Sequence, residues 1–241
     1  MIAALPYFKF NGIKSLDERL LITAKNTYKG AARDLTFQSI PGRSGDLLID
    51  NRRYKNVKIT YDVTALGDKR EIPDIARRVK NWLLSEIGYF KLYDTYDPKY
   101  FRIAAYQDEF DLEQELPEVG RSSIAFNCKP FRYSSEGQKT LILSSTATTI
   151  RNPEQFSASP YIKITGSGDI TLTVNENAFV FKGIEDYIEI DSEIMQAFKG
   201  TQSENAKMYT PTFPTLAKGK NTVSWSGSVT SVEIIPRWCC L

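Results

Sequence analysis

The chain has 241 residues, 41% of them hydrophobic and 25% charged, with a formal net charge of +2. That is the composition of an ordinary soluble globular protein, long enough for one large β domain or two of common size. Apolar runs fall far short of the ~18 residues a membrane-spanning helix needs. Met1–Phe10 also lacks an apolar segment of signal-peptide length, so neither a membrane nor secretion is expected.

Charge is uneven: residues 1–139 hold 23 Lys+Arg against 19 Asp+Glu, and residues 140–241 hold 8 against 10. Neither part is basic enough to predict nucleic-acid binding, but the shift supports two domains, 1–139 and 140–241. There is no histidine, which removes the commonest general base and the commonest transition-metal ligand. The cysteines, Cys128, Cys239 and Cys240, match no zinc spacing. No catalytic, metal or cofactor site is expected from these residue types.

In chain order, "YFKFNG" alternates and then turns at Asn11-Gly12, a hairpin signal. "LTFQSI" and "LLID" read as a strand pair around Pro41, Gly42, Arg43, Ser44 and Gly45, which admit three readings: phosphate cradle, plain turn or assembly loop. "YKNVKITYDVTAL" puts Val57, Ile59, Tyr61 and Val63 on one face of a strand. Ile72, Ile75, Ala76, Val79, Trp82, Leu83 and Ile87 recur at helical spacing, with Pro73 and Asp74 in the first turn and Gly88 as a stop. This predicts one amphipathic helix near 72–87, with Trp82 in the core.

Two aromatic-rich strands follow at 89–93 and 100–106. Their rings could stack on a sugar or a base, but strands favour aromatics and half should face a core. "DEFDLEQELPE", 108–118, holds six acidic residues and no basic one. Its parity places Glu109, Asp111, Glu113 and Glu115 on one face and Phe110, Leu112 and Leu116 on the other. That is a strand with an acidic face; a glycosidase carboxylate pair drawn from it would be unspecific. The last strand of this part, 121–134, aligns Ile124, Phe126 and Cys128, with Cys128 as a small buried hydrophobe.

A Ser/Thr-rich stretch from 134 to 160 reads as a linker. Beyond it, short strands with turn signals predict a β-sandwich. Gly166-Ser167-Gly168-Asp169 reads as a turn between two of these strands, and 220–236 as two further short ones. No helix or Gly-Lys-Ser/Thr follows either glycine stretch, which removes the phosphate-loop reading.

The order of "YFKFNGIKSLDERLLI", "IPGRSGDLL", "YKNVKITYDV", "VKNWLLSEIGYFKLYD", "FNCKPFRY", "NPEQFSASPYIKITGSGDITLTVN" and "PTLAKGKNTVSW…VEIIPRW" resembles the distal tail protein family of long, non-contractile-tailed phages of Gram-positive hosts. The resemblance implies a mainly β fold: a ring-forming β domain with one helix, then a galectin-like or carbohydrate-module-like β-sandwich. It implies a structural virion protein, not an enzyme, made in the host cytoplasm and placed at the distal end of the tail. Its implied partners are its own copies in a hexameric ring, the tail tube protein, the tail-tip protein and a receptor-binding protein, with DNA only passing through the lumen. On this reading the Pro41–Gly45 loop contacts a neighbouring subunit, and part of the face formed by Glu109, Asp111, Glu113 and Glu115 lines or borders the lumen; the alternative for that face is a solvated outer edge that discourages wrong pairing. The alternative function is carbohydrate binding by the sandwich, with Trp225 stacking on a sugar face.

Overall fold

The computed structural model describes residues 5–25, 28–68, 71–116 and 118–241, without the side chains of Gln114 and Leu116. It divides into two compact units, residues 1–132 with Leu241, and residues 133–240.

The first unit contains strands β1 (Phe8–Phe10), β2 (Ile13–Lys14), β3 (Leu20–Lys25), β4 (Arg33–Gln38), β5 (Leu47–Tyr54) and β6 (Val57–Leu66). Helix α1 (Ile72–Leu84) comes next, then β7 (Phe90–Asp94), β8 (Tyr100–Ala105), β9 (Glu113–Leu116) and β10 (Val119–Ser134). The main sheet runs β2-β1-β7-β8-β10-β6-β3, with β9 also paired to β10; β4 and β5 form a separate two-stranded sheet. The hairpin at Asn11-Gly12 has φ of 48° and 82°, the double left-handed geometry that suits the twist of paired strands.

The centre of the main sheet is the pairing of β6 with β10, which keeps one antiparallel register from Val119 opposite Leu66 to Cys128 opposite Val57. Val57, Ile59, Tyr61 and Val63 from β6 and Ile124, Phe126 and Cys128 from β10 enter the core, together with Ile72, Ile75, Val79, Trp82 and Leu83 of α1. Aromatic rings fill its middle: Phe8 stacks on Tyr61 at 5.0 Å and on Trp82 at 5.7 Å, and Phe10 meets Phe126 at 4.8 Å. Trp82 donates its indole N–H to the Phe10 carbonyl at 3.2 Å, giving the buried ring the partner it needs.

Two elements are shorter than the sequence pattern predicts. The helix ends at Leu84, and Ile87 is fully exposed. Gly88 does not take the left-handed conformation expected of a stop; instead Asn11 Nδ2 donates to Glu86 at 3.0 Å and holds the departing chain. The acidic stretch is a strand only over Glu113–Leu116. Its first part is irregular, although Phe110 is buried and Leu112 half-buried against the core as the parity predicts. The anchoring role expected of the Leu116 side chain lies outside the described residues. Of the aromatics between 89 and 106, Phe101 is buried and Phe90 and Tyr106 pack on the core, while Tyr89 and Tyr96 stay exposed.

In the second unit, β11 (Leu141–Leu143), β12 (Thr148–Asn152), β13 (Tyr161–Val174), β14 (Asn177–Ile184), β15 (Tyr187–Asp191), β16 (Gln196–Lys199), β17 (Gln202–Ser203) and β18 (Gly219–Ile235) form one sheet that curls over its own core. The stretch read as a linker carries β11 and β12, both hydrogen-bonded to β18. Leu143 of β11 and Ile150 of β12, on either side of the Ser/Thr run, reach the core.

Gly166–Asp169 is not a turn between strands, and 220–236 is not two strands. Both lie inside the long strands β13 and β18, where the ladder slips register between Thr165 and Gly166 and again between Ser167 and Thr171. The glycines explain this. Gly168 and Gly227 have φ of 76° and 101°, and a Cβ on Gly166 or Gly227 would stand 2.3 Å from the Ser228 carbonyl oxygen or 2.4 Å from that of Asp169. The two chains therefore bend together in direct backbone contact, as glycine alone permits. Below the bend β13 pairs with β15, and beyond it with β14.

Two outcomes follow from the cores. Trp82→Ala removes a buried ring and its hydrogen bond and is expected to cost about 3–5 kcal/mol in denaturant unfolding. Burial pushes the Cys128 and Cys239 thiols up to about 12. At pH 8 a thiol reagent should therefore label Cys240 alone in the native protein, and all three cysteines only in denaturant; rapid native labelling of Cys128 would contradict its place in the core.

Candidate assembly interfaces

β4 and β5 form an arm of two strands, about 25 Å from root to tip at the usual rise per residue. Its root is fixed. The Lys55 N–H donates to the Ala32 carbonyl at 2.8 Å, and the Tyr54 ring meets Phe131 edge-on at 5.6 Å. Asp34, nearly buried, accepts from Arg53 at 2.6 Å and faces Lys55 at 3.4 Å. The Arg53 hydrogen bond, reinforced by Lys55, holds its carboxyl below the usual range. Arg33 meets Asp50 at 3.2 Å.

The tip is the Pro41–Gly45 loop. The Arg43 N–H donates to the Ile40 carbonyl at 3.1 Å, and Gly42 has φ of 78°. Proline second and a left-handed glycine third are the marks of a type II turn. All five residues are exposed and project no backbone cradle toward a helix, so the structure holds them as the end of an arm. Arg52, at φ of 56°, sits in a bulge opposite Asp34, where the register slips between Arg33 and Leu35. The side chains of Arg43 and Arg52 meet no carboxylate among the described residues.

The arm is apolar on both faces. Phe37 lies opposite Leu48 on one, 64% and 55% exposed; Leu47 and Ile49 lie on the other, opposite Gln38 and Thr36, and are 41% and 39% exposed. Period-2 reasoning expects one dry face, and the consecutive run Leu47-Leu48-Ile49 was the available signal of two. An isolated two-stranded ribbon with free edges is marginal in water and invites pairing.

A second feature lies on the main sheet. Because the odd residues of β6 face α1, Asp62 and Thr64 face away from it. There they join Thr23, Ser123 and the 109–115 segment to line a groove of about 750 Å³. Glu109, Asp111, Glu113 and Glu115 all line it, so the structure gathers the four acidic residues the sequence singled out. Sequence reasoning missed Asp62 and the hydroxyls, which reach the groove from distant strands. Ser122 Oγ donates to the Asp111 carbonyl at 2.5 Å and fixes the irregular segment to β10. Arg121 faces Glu115 at 3.3 Å; it is the one basic residue among those lining the groove.

Two other polar clusters are built on internal ion pairs. Lys25 reaches Asp94 at 2.9 Å beside a small cavity, and the Tyr61 hydroxyl donates to the same carboxylate at 2.6 Å. Burial first, and then Asp94, pushes that hydroxyl well above its usual value. In the second unit Arg237 grips both oxygens of Asp191 at 2.7 and 2.8 Å. Trp225 is half-buried against the second core, and Trp238 is buried in it. No group of three or more acidic or cysteine residues suits a metal ion among the described residues.

Known proteins match this chain in fold and in part of its sequence. The family described as phage tail protein RIFT-related domain matches residues 17–128. The whole chain has the distal-tail fold: it superposes on the Dit protein of phage SPP1, described as a paradigm of the hub adsorption apparatus in phages infecting Gram-positive bacteria, with a TM-score of 0.76 at 12% identity over 96% of this chain and 98% of that one. A chain of the phage p2 baseplate, solved in its activated conformation with strontium, matches with a TM-score of 0.50 at 11% identity, over 95% and 98%. No curated protein sequence matches.

The arm makes a simple prediction. Limited trypsin treatment of the free chain should cut first after Arg43, since exposed loop tips are the preferred sites of nicking. A first cut elsewhere would show that the arm is packed down in solution.

Proposed function

We propose that this phage tail protein is the structural hub at the distal end of the tail, a subunit that self-assembles into a ring joining the tail tube to the tip proteins. The observation that carries the reading is the end-to-end correspondence with the SPP1 hub protein, which takes in both units of the chain. The two-faced arm supports it, because such an element gains stability only when another chain covers it. The Pro41–Gly45 tip is the inter-subunit loop: its glycines allow close backbone approach, and Arg43 offers a forked charge-assisted contact. The tail tube protein and the tail-tip protein are the partners on the two sides of the ring, and a receptor-binding protein docks on its periphery. Nothing in the second unit favours a separate sugar-binding role, since Trp225 packs on its own core.

The reading predicts a mass of six copies of the 27.3 kDa chain in light scattering across a concentration series. A closed assembly of a different number would overturn the hexamer. Particles assembled without this chain should carry tubes that lack a tip and fail to adsorb. Normal tips in its absence would overturn the hub role itself.

A further inference from the structure

The small cavity beside Lys25 carries an uneven charge. Its volume is about 70 Å³, room for a few waters or one small ion. Four cations line it, Lys25, Lys29, Arg102 and Arg132, against two acidic side chains, Asp94 and Asp97. All belong to the first unit, but the fold gathers them from distant places: Lys25 ends β3, Asp94 ends β7, and Arg102 and Arg132 lie on β8 and β10. Counting the end group of Leu241, which also lines the cavity, as a third negative charge still leaves the cations in excess.

The acidic groups are already engaged. One oxygen of Asp94 accepts from Lys25 at 2.9 Å and from the Tyr61 hydroxyl at 2.6 Å, and the other accepts from the Tyr96 and Asp97 N–H groups at 2.9 and 3.1 Å. Those four bonds use the acceptor sites that a carboxylate has. Asp97 takes Nη1 of Arg132 at 2.9 Å, and the Leu241 carbonyl takes Nη2 at 2.8 Å. The Nε of the same guanidinium is buried and has no hydrogen-bond partner among the described residues. A buried donor of a charged group left without an acceptor costs its full desolvation. The wall therefore asks for an acceptor that the chain does not supply. Water would accept from the Nε–H and leave the excess of positive charge as it is; an anion answers both.

We infer that this cavity is a binding site for one small monovalent anion of the chloride class, held by the Nε–H of Arg132 in the positive field of Lys29 and Arg102. Two aspartates in the wall disfavour a dianion such as phosphate, whose second charge they would repel. Guanidinium suits the site because it gives up its hydration more readily than an ammonium does. Arg102 Nη2 donates to the Lys29 carbonyl at 3.2 Å and holds the exposed mouth against the cavity. A bound ion ties residues 28–30, which lead into β4, to the arginines of β8 and β10. The site is independent of the hub reading and adds a ligand to it.

The test uses the full-length chain and chloride itself, with ionic strength held constant by gluconate, an anion too large for the cavity. The chlorine NMR line should broaden in the presence of the native chain, saturate with chloride and narrow again when bromide competes. Arg132→Gln removes the Nε–H and should bind chloride about tenfold or more weakly, as loss of a charge-assisted hydrogen bond does. Exchanging gluconate for chloride should raise the thermal midpoint of the native chain by about 2–4 °C relative to that variant, the effect of an ion that binds the folded state alone. Lys80→Gln, which removes an exposed charge on α1, should bind as the native chain does. Circular dichroism shows whether Arg132→Gln folds; if it does not, Lys29→Gln at the exposed mouth takes its place and should weaken binding about threefold. A native chain whose line width and midpoint do not distinguish chloride from gluconate overturns the site and leaves the cavity to water. Broadening that survives in a folded Arg132→Gln, or that Lys80→Gln removes as well, means an adventitious ion only and overturns it too. Neither result touches the hub role, which is judged by the tips of particles assembled without the chain.

Discussion

The unbroken register between β6 and β10 is the constraint on which the first unit depends. Side chains alternate along both strands, so a slip of one residue would send Ile59, Tyr61, Ile124 and Phe126 into solvent and Asp62 and Lys58 into the core. The pairing holds without a bulge from Val57 to Leu66. One side of it is therefore dry enough to accept α1 and the aromatic cluster around Phe8 and Phe126, and the other is wet enough to carry an acidic groove. The core and the groove are two readings of the same alternation. The 109–115 segment crosses to the wet side only because Phe110 and Leu112 anchor it while Ser122 pins its backbone.

The second unit meets a different constraint. Two strands of 14 and 17 residues would make a flat, over-long ribbon, and a sheet of that size gains a core only by bending. The bend is placed where Gly166, Gly168 and Gly227 let two backbones touch, and each long strand contributes to the core on both sides of it: Ile162 and Leu172 from β13, Val223 and Val232 from β18. Stability there is concentrated at positions with no side chain to spare, because a single methyl group on Gly166 or Gly227 would overlap a carbonyl oxygen.

Much of this was legible from periodicity. The strand around Val57–Val63, the helix starting at Ile72 with Pro73 in its first turn, and the burial of Cys128 and Trp82 all follow from spacing that no tertiary contact overrides. Glycines were harder to read. At Asn11-Gly12 they turn the chain, while at Gly166–Gly168 the same residue types bend a continuous strand, and only the partner strand decides which. Helix length failed at Ile87, since the helix ends at Leu84 and Ile87 is left in solvent. The four acidic residues of the 109–115 segment were visible as a face, but Asp62 and Thr64, which complete the groove, come from a strand some fifty residues away and share no local pattern with them. The arm was visible as a strand pair, whereas its second apolar face required noticing that Leu47, Leu48 and Ile49 break alternation.

That break has a physical consequence for the free chain. A strand pair with one apolar face can be laid on its own protein, as β1 and β7 are. A pair with apolar side chains on both faces cannot be covered by one surface, and among the described residues this arm meets the main sheet at its root, where Tyr54 packs on Phe131. Folding the arm back would bury Phe37 and Leu48 while leaving Leu47 and Ile49 in water, and it would place Arg43 and Arg52 over the chain's own surface. An arm held outward satisfies its backbone through the β4–β5 ladder and keeps both faces and both arginines for another molecule. The sequence thus spends apolar side chains where the isolated subunit gains nothing from them, and a ribbon of this kind gains stability only when another surface covers it.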